Sequence, residues 1–399
     1  MRILVAHNRY QQLGGEDIVA QNEISLLRAN GHEVAFLEED NDDIKGWGSA
    51  ATAALRSVYS VSSARAMRQK LEQFKPDLVH IHNFFPSLSP SIHYACLRGH
   101  IPVVQTLHNY RLLCPASTLQ RNGRICEDCI GKVFPWPGIQ HACYRQNRFA
   151  SAAVANMLAI HRIMGTWKRT VDRFITLTEF GRRKFIDGGL PEEKIVVKPN
   201  FVNLDSGMGT GGGGYVLFVG RLSVEKGIDT LLGAWSRLRV KRPLKIVGDG
   251  PMAERVKGAA STNNSIEWLG FRSRDVVSKM MAKAEALIVP STWYEGFPMV
   301  ISEAFAMGLP VIASRIGGLP ELVEQGRTGV LFEPGSQDGL AAAVELMFTD
   351  QERIEAMRLA VRREFELKYS ADANYAILSD VYRDAIHARH IERGMERNL

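Results

Sequence analysis

Long apolar runs are missing from this chain of 399 residues. No stretch approaches the roughly 20 consecutive apolar residues that a bilayer-spanning helix needs. No secretion signal is expected either, because Arg2-Ile-Leu-Val-Ala6 reads as a first buried strand. Both absences point to a soluble, cytoplasmic protein. Low-complexity tracts are absent, and neither sign of charge dominates: 49 Lys and Arg against 43 Asp and Glu leave a net charge of +6. That excess is too diffuse to argue for nucleic acid. It suits anionic substrates or a peripheral contact with anionic lipid. What remains is ordinary globular composition, 45% apolar and 23% charged, with length enough for two domains.

The first half repeats strand, loop and helix. After the Ile3–Ala6 strand, Gly14-Gly15 precedes a helical pattern that runs to Asn30, where Gly31 supplies the stop. Further strands are expected at Val34–Leu37, Leu78–His82, Val103–Leu107, Phe174–Leu177 and Ile195–Val197. Such alternation implies a parallel sheet covered on both faces, with ligands beyond the carboxyl ends of its strands. Paired glycines at such an end let backbone approach a phosphate, although tight turns use the same pair. A glycine-rich run over 206–214 then reads as a flexible linker. A second alternation follows, with strands at Tyr215–Val219, Leu244–Val247, Ile266–Leu269, Ala286–Pro290 and Val311–Ala313, and helices from about Asp229, after Pro251 and near Asp275–Ala282. Beyond Gly335 the pattern is mostly helical. The expectation is two doubly wound α/β domains, 1–205 and 215–370, facing each other over a cleft with the linker in the hinge. A helical tail, 371–399, is free to return to the first domain.

The stretch Glu295-Gly-Phe-Pro-Met-Val-Ile-Ser-Glu303 follows one of those strands. Pro298 suits the first turn of a helix and Gly308 its end. Glu295 then lies on the loop and Glu303 inside the helix. Eight helical steps would set two side chains about 80° apart, so the carboxylates would not superpose on one unbroken helix. A loop-plus-helix arrangement lets both reach one ligand from different sides. Free amides around Phe297, Met299 and Val300 would face the same place, a ready anion site. Two acids bracketing an amide-lined helix start fit a ligand with hydroxyls at both ends and phosphate between, the outline of a nucleotide sugar. Chance spacing of Glu on an exposed helix gives the same letters. Gly220-Arg-Leu-Ser-Val-Glu-Lys-Gly227 presents Arg221 and Lys226 at another strand end, where two cations can neutralise a diphosphate.

Gly14-Gly15, Gly220-Arg221 with Lys226, Gly248-Asp-Gly-Pro251, Glu295 with Glu303, and Gly317-Gly-Leu-Pro-Glu321 occur in that order. The set resembles the retaining glycosyltransferases of family 4, which have the two-domain GT-B fold. The resemblance covers nearly the whole chain and is stronger in its second half. It implies that Arg221 and Lys226 clamp the donor's pyrophosphate and stabilise the leaving nucleoside diphosphate. It implies that Glu303 holds ribose hydroxyls and that Glu295 contacts the donor sugar, helped by the amides of Phe297, Pro298, Met299 and Val300 as far as each has one. Gly14 and Gly15 resemble the loop that closes on the phosphates, and His108 the active-site histidine at a strand end. The family often has Asp where this chain has Asn109, which leaves the charge and orientation of His108 open. Catalysis in such enzymes rests on positioning and on a stabilised diphosphate, so no catalytic metal is expected and neither Glu is assigned as a general acid.

Cys114, Cys126, Cys129 and Cys143 form C-x11-C-x2-C-x13-C in an insertion over about 109–145. Four thiolates so spaced suit a structural zinc, with disulfides or unlinked thiols as the alternatives. The apolar segment Ala150–Gly165, ending in Trp167-Lys168-Arg169, could touch a membrane that holds a lipid-linked acceptor, although such a helix more often packs on its own sheet. The reading is a glycosyltransferase serving polysaccharide or glycolipid synthesis. A nucleotide-sugar-binding protein without turnover and a GT-B epimerase are the alternatives.

Overall fold

The structure, a computed structural model, describes residues 1–9, 14–40, 50–203, 205 and 207–396. The chain divides into two compact units. Unit 1 takes Met1–Leu119, Cys126–Pro199 and the residues from Asn374 on, and unit 2 takes Gln120–Ile125 and Asn200–Ala373.

Unit 1 is built on strands β1 (Arg2–Arg9), β2 (Glu33–Asp40), β3 (Leu78–Asn83) and β4 (Val103–Thr106). A two-residue hairpin, β5 (Gln120–Arg121) with β6 (Arg124–Ile125), interrupts before β7 (Arg173–Thr176) and β8 (Ile195–Val197) complete the sheet. The sheet order is β2-β1-β3-β4-β7-β8, every pair parallel. The helix Gly15–Ala29 buries Val19, Ile24 and Leu27 and stops at Asn30, with Gly31 left-handed at φ +77°. The last helix, Ala371–Glu396, carries Leu378, Val381, Tyr382 and Ala385 at helical spacing. These pack in one core with Ile3, Val5, Leu78 and Val104. Arg389 seals the helix to the sheet through Asp172, 3.0 Å away, whose carboxylate also accepts from the Val103 amide.

Unit 2 comprises β9 (Val216–Val219), β10 (Leu244–Val247), β11 (Ile266–Trp268), β12 (Ala286–Val289), β13 (Val311–Ser314) and β14 (Gly329–Phe332). Their order is β11-β10-β9-β12-β13-β14, again wholly parallel. Branched residues fill these strands because both faces are covered.

The glycine-rich run expected as a flexible linker is strapped to unit 2 over its described part. The amides of Gly209, Gly211 and Gly213 donate to the carbonyls of Met307, Ala282 and Lys283. A Cβ on Gly209 would lie 2.4 Å from the Ala282 oxygen, and one on Gly213 2.6 Å from that of Lys283. Glycine here serves close backbone approach rather than mobility.

Candidate functional site

In unit 2 the strand order reverses between β9 and β12, the position where open α/β sheets bind ligands. The loops leaving these two strands carry Gly220–Gly227 and Pro290–Pro298, and they are fitted backbone to backbone. Gly227 is left-handed at φ +74°, and a Cβ there would fall 1.8 Å from the Pro290 carbonyl oxygen. The Thr292 amide donates to the Glu225 carbonyl at 2.9 Å. The loop after β10 joins them: the Leu222 amide donates to the Asp249 carbonyl, and a Cβ on Gly248 would lie 1.9 Å from the Gly220 oxygen. The Gly-Asp-Gly signature is thus the condition for three strand ends to meet.

On this platform Lys226 Nζ donates to Glu295 Oε1 at 2.7 Å, and Ser291 Oγ donates to the same oxygen at 2.6 Å. Burial alone would raise the Glu295 carboxyl. The Lys226 ammonium and hydrogen bonds from Lys226 and Ser291 outweigh it and hold the group below its ordinary value. Lys226, expected as a free phosphate cation, is therefore shared with Glu295. Arg221 is exposed and makes no ion pair among the described residues, so it is the cation of the expected pair that stands open.

Glu303 lies in the helix Met299–Ala306 and Glu295 on the preceding loop, as the spacing suggests. The helix begins one residue later than expected, with Pro298 as its cap and no side chain closing its first turn. Among the described residues nothing accepts from the amides of Phe297, Met299 or Val300. At the other end Gly308, φ +65°, donates to Phe305 and Leu309 to Ala304, a Schellman closure. Burial pushes the Glu303 carboxyl above its ordinary value, and Arg274 pulls it only partly back. Gly317, at φ +58°, comes against Tyr294 beside Glu295.

Unit 1 gathers histidines at the ends of its own strands. His80 and His82 alternate on β3, so both point to one side, where Glu23 comes from the first helix. His82 Nε2 lies 3.2 Å and His80 Nδ1 2.9 Å from Glu23 Oε1. Lys198 donates to Glu23 Oε2 and to Asn374 Oδ1, each at 3.0 Å. His108 Nε2 faces His82 Nδ1 at 3.0 Å. One of these two nitrogens donates and the other accepts, as the tautomers of the two rings decide. Burial drives His82 down to about 4 and His108 well below the ordinary value, so both rings are neutral. Glu23, His80 and His82 bring their ligand atoms within 4.8 Å of one another, close enough to hold a metal ion. Lys198 already supplies the positive charge there, and a divalent cation would be set against its ammonium.

Asn109 donates to Glu16 on the first helix at 2.8 Å and accepts from the Arg111 amide, so it anchors the loop while His82 orients His108. Gly14 caps that helix, its amide donating to Asp17 Oδ2 at 2.6 Å, while Asp17 Oδ1 meets His7 Nε2 at 2.8 Å. Nothing lies within 4 Å of a Cβ built on Gly15, so crowding does not demand glycine there. Glu23, His82 and Lys198 escaped the sequence reading, although the alternation His80-Ile-His82 signals two histidines on one face.

Cys129 is raised to about 11 by burial and by the nearby thiols of Cys114, Cys126 and Cys143, so the four do converge. Arginines carry this loop: Arg162 donates to the carbonyls of Leu112, Leu113 and Lys132, and Arg111 stacks 4.5 Å from the Phe85 ring centre.

Two parallel sheets, one in each unit, define the GT-B architecture. Sucrose-phosphate synthase of Thermosynechococcus elongatus shares it at a TM-score of 0.69 and 16% identity, over 97% of this chain and 100% of that one. HepE of Anabaena in complex with UDP shares it at 0.66 and 18%, over 95% and 99%. At such identities the likeness speaks for the fold. Residues 13–206 match the family model described as Glycosyltransferase Family 4, and residues 210–364 match that of Glycosyl transferases group 1. An uncharacterized glycosyltransferase of Methanocaldococcus jannaschii is 32% identical over 53% of this chain and 60% of its own length. Alpha-D-kanosaminyltransferase of Streptomyces kanamyceticus is 33% identical over 42% and 45%. The chain spans about half the length of these curated relatives.

Proposed function

We propose that the protein is a retaining glycosyltransferase that moves a sugar from a nucleoside-diphosphate sugar to an acceptor hydroxyl, in polysaccharide or glycolipid synthesis. One observation carries the reading: an open cation, a Lys–Glu pair, an uncapped helix start and a second carboxylate meet at the switch point of unit 2. HepE structures with UDP and with UDP-glucose support the donor class.

Arg221 and the uncapped amides offset the diphosphate charge that grows as the sugar departs, and Lys226 adds to this as it is drawn from Glu295. Glu295, held ionised, accepts from sugar hydroxyls, and Glu303 accepts from the ribose. The leaving phosphate takes the acceptor's proton on the face it departs from, which retains configuration. Neutral His108 orients a hydroxyl. Incubation with a panel of donors, read as nucleoside-diphosphate release with and without acceptor, tests the proposal. Arg221→Ala should depress turnover, and the anomeric configuration of the product by NMR should match the donor's. Donor binding without release, in extracts that contain the natural acceptor, contradicts the assignment.

A further inference from the structure

The helix Arg148–Ile163 in unit 1 buries Val154, Ala155, Met157 and Leu158 on one side, as the packing expectation has it. Its other side is apolar as well. Phe149 is 85% exposed, Ile163 74% and Ile160 39%, and Met164 just beyond is 47% exposed. By the 3.6-residue period Phe149, Ala153, Asn156, Ile160 and Ile163 keep within about 40° of one bearing, a stripe about 21 Å long. The helix Ala50–Val58 packs against it, with His161 Nε2 2.9 Å from the Val58 carbonyl, and adds Leu55, 72% exposed.

Charge along this segment of the chain has one sign. Residues 129–171 contain no Asp or Glu, and they contain Lys132, Arg145, Arg148, Arg162, Lys168 and Arg169. Apart from Arg162, which serves the carbonyls above, these cations are exposed. None of them pairs with a carboxylate among the described residues. Where the helix ends, a pocket of about 190 Å³ is lined by Lys132, Val133, Arg162, Trp167 and Lys168 among others, with no acid. The indole Nε1 of Trp167, a residue only 4% exposed, has no hydrogen-bond partner.

We propose that this face docks on a bilayer rich in anionic lipid, the apolar stripe entering the headgroup boundary and the cations meeting lipid phosphate. A second copy would bring the same cations together and is disfavoured by its own charge. Among the described residues no helix is long and apolar enough to cross a membrane, so the contact lies on the surface. The inference is independent of the donor site: nucleotide binding is measured in solution, and its failure leaves vesicle binding standing.

Co-sedimentation of the full chain with vesicles tests it, using phosphatidylcholine alone or with about 30 mol% phosphatidylglycerol, in low and high salt. Binding is expected only with phosphatidylglycerol, falling as salt rises and unaffected by soluble glycerol phosphate. Lys168→Ala with Arg169→Ala should weaken partitioning at least tenfold. Phe149→Ser with Ile163→Ser should do likewise, all variants keeping wild-type circular dichroism. No binding to phosphatidylglycerol vesicles, or binding that these variants leave unchanged, overturns the proposal. So does a dimer in solution that Phe149→Ser dissolves.

Discussion

Lowering the pH should unfold unit 1 steeply, and the slope follows from its buried histidines. His82 and His93 are held at about 4, and His108 well below its ordinary value, chiefly by burial. An unfolded histidine titrates near 6.5. Between pH 6.5 and about 4 the unfolded chain therefore binds three protons that the folded unit refuses. Stability rises with pH wherever the unfolded state binds more protons, by about 1.4 kcal/mol per pH unit for each. Three histidines cost about 3–4 kcal/mol between pH 6 and pH 5, a large part of the about 5–15 kcal/mol of a typical domain. Glu23 adds the same sign lower down, because its depressed carboxyl stabilises the unit until pH falls through its folded value. Urea unfolding at half-unit steps from pH 7.5 to 5, with hydrogen exchange of unit 1 peptides, measures the slope. A flat stability between pH 6 and 5 would refute neutral burial of these rings.

Other expectations follow from single contacts. Lys198→Met leaves the Glu23 charge buried and unpaired and should cost about 3–5 kcal/mol, with Glu23→Gln added to it restoring most of the loss in urea melts. Gly227→Ala forces a left-handed conformation worth about 1–2 kcal/mol and meets the Pro290 carbonyl. It should lower Tm by about 2–8 °C and abolish nucleotide binding, whereas wild-type binding would show that the loop contact is dispensable. Donor affinity should rise with pH through the elevated Glu303 value, since only the ionised carboxyl accepts from both ribose hydroxyls. Glu303→Gln should flatten that titration in calorimetry.

Much of unit 2 was legible because its chemistry is local. Glycines and short branched strands mark the strand ends, and Gly220–Gly227 and Glu295–Glu303 sit directly after them. The charged relay of unit 1 was not, because Glu23 and Lys198 pair across 175 residues and only the fold brings them together. The run Gly329-Val-Leu-Phe332 is too short to announce a sixth strand, and it is fixed by its ladder with β13. Glycines at 209, 211 and 213 suggest freedom until their main-chain partners are seen. Pro298 suited the first helical turn by its fixed φ, and the structure makes it the cap, one position before that turn.

The most direct test of the account is calorimetric binding of UDP and other nucleoside diphosphates to the wild-type chain and to Glu303→Ala. The account predicts one bound molecule per chain for at least one of them. Loss of two hydrogen bonds to a charged carboxylate, about 1.5–3 kcal/mol each, should weaken that binding at least about a hundredfold. No binding of any nucleoside diphosphate, or equal affinity in the variant, would contradict it.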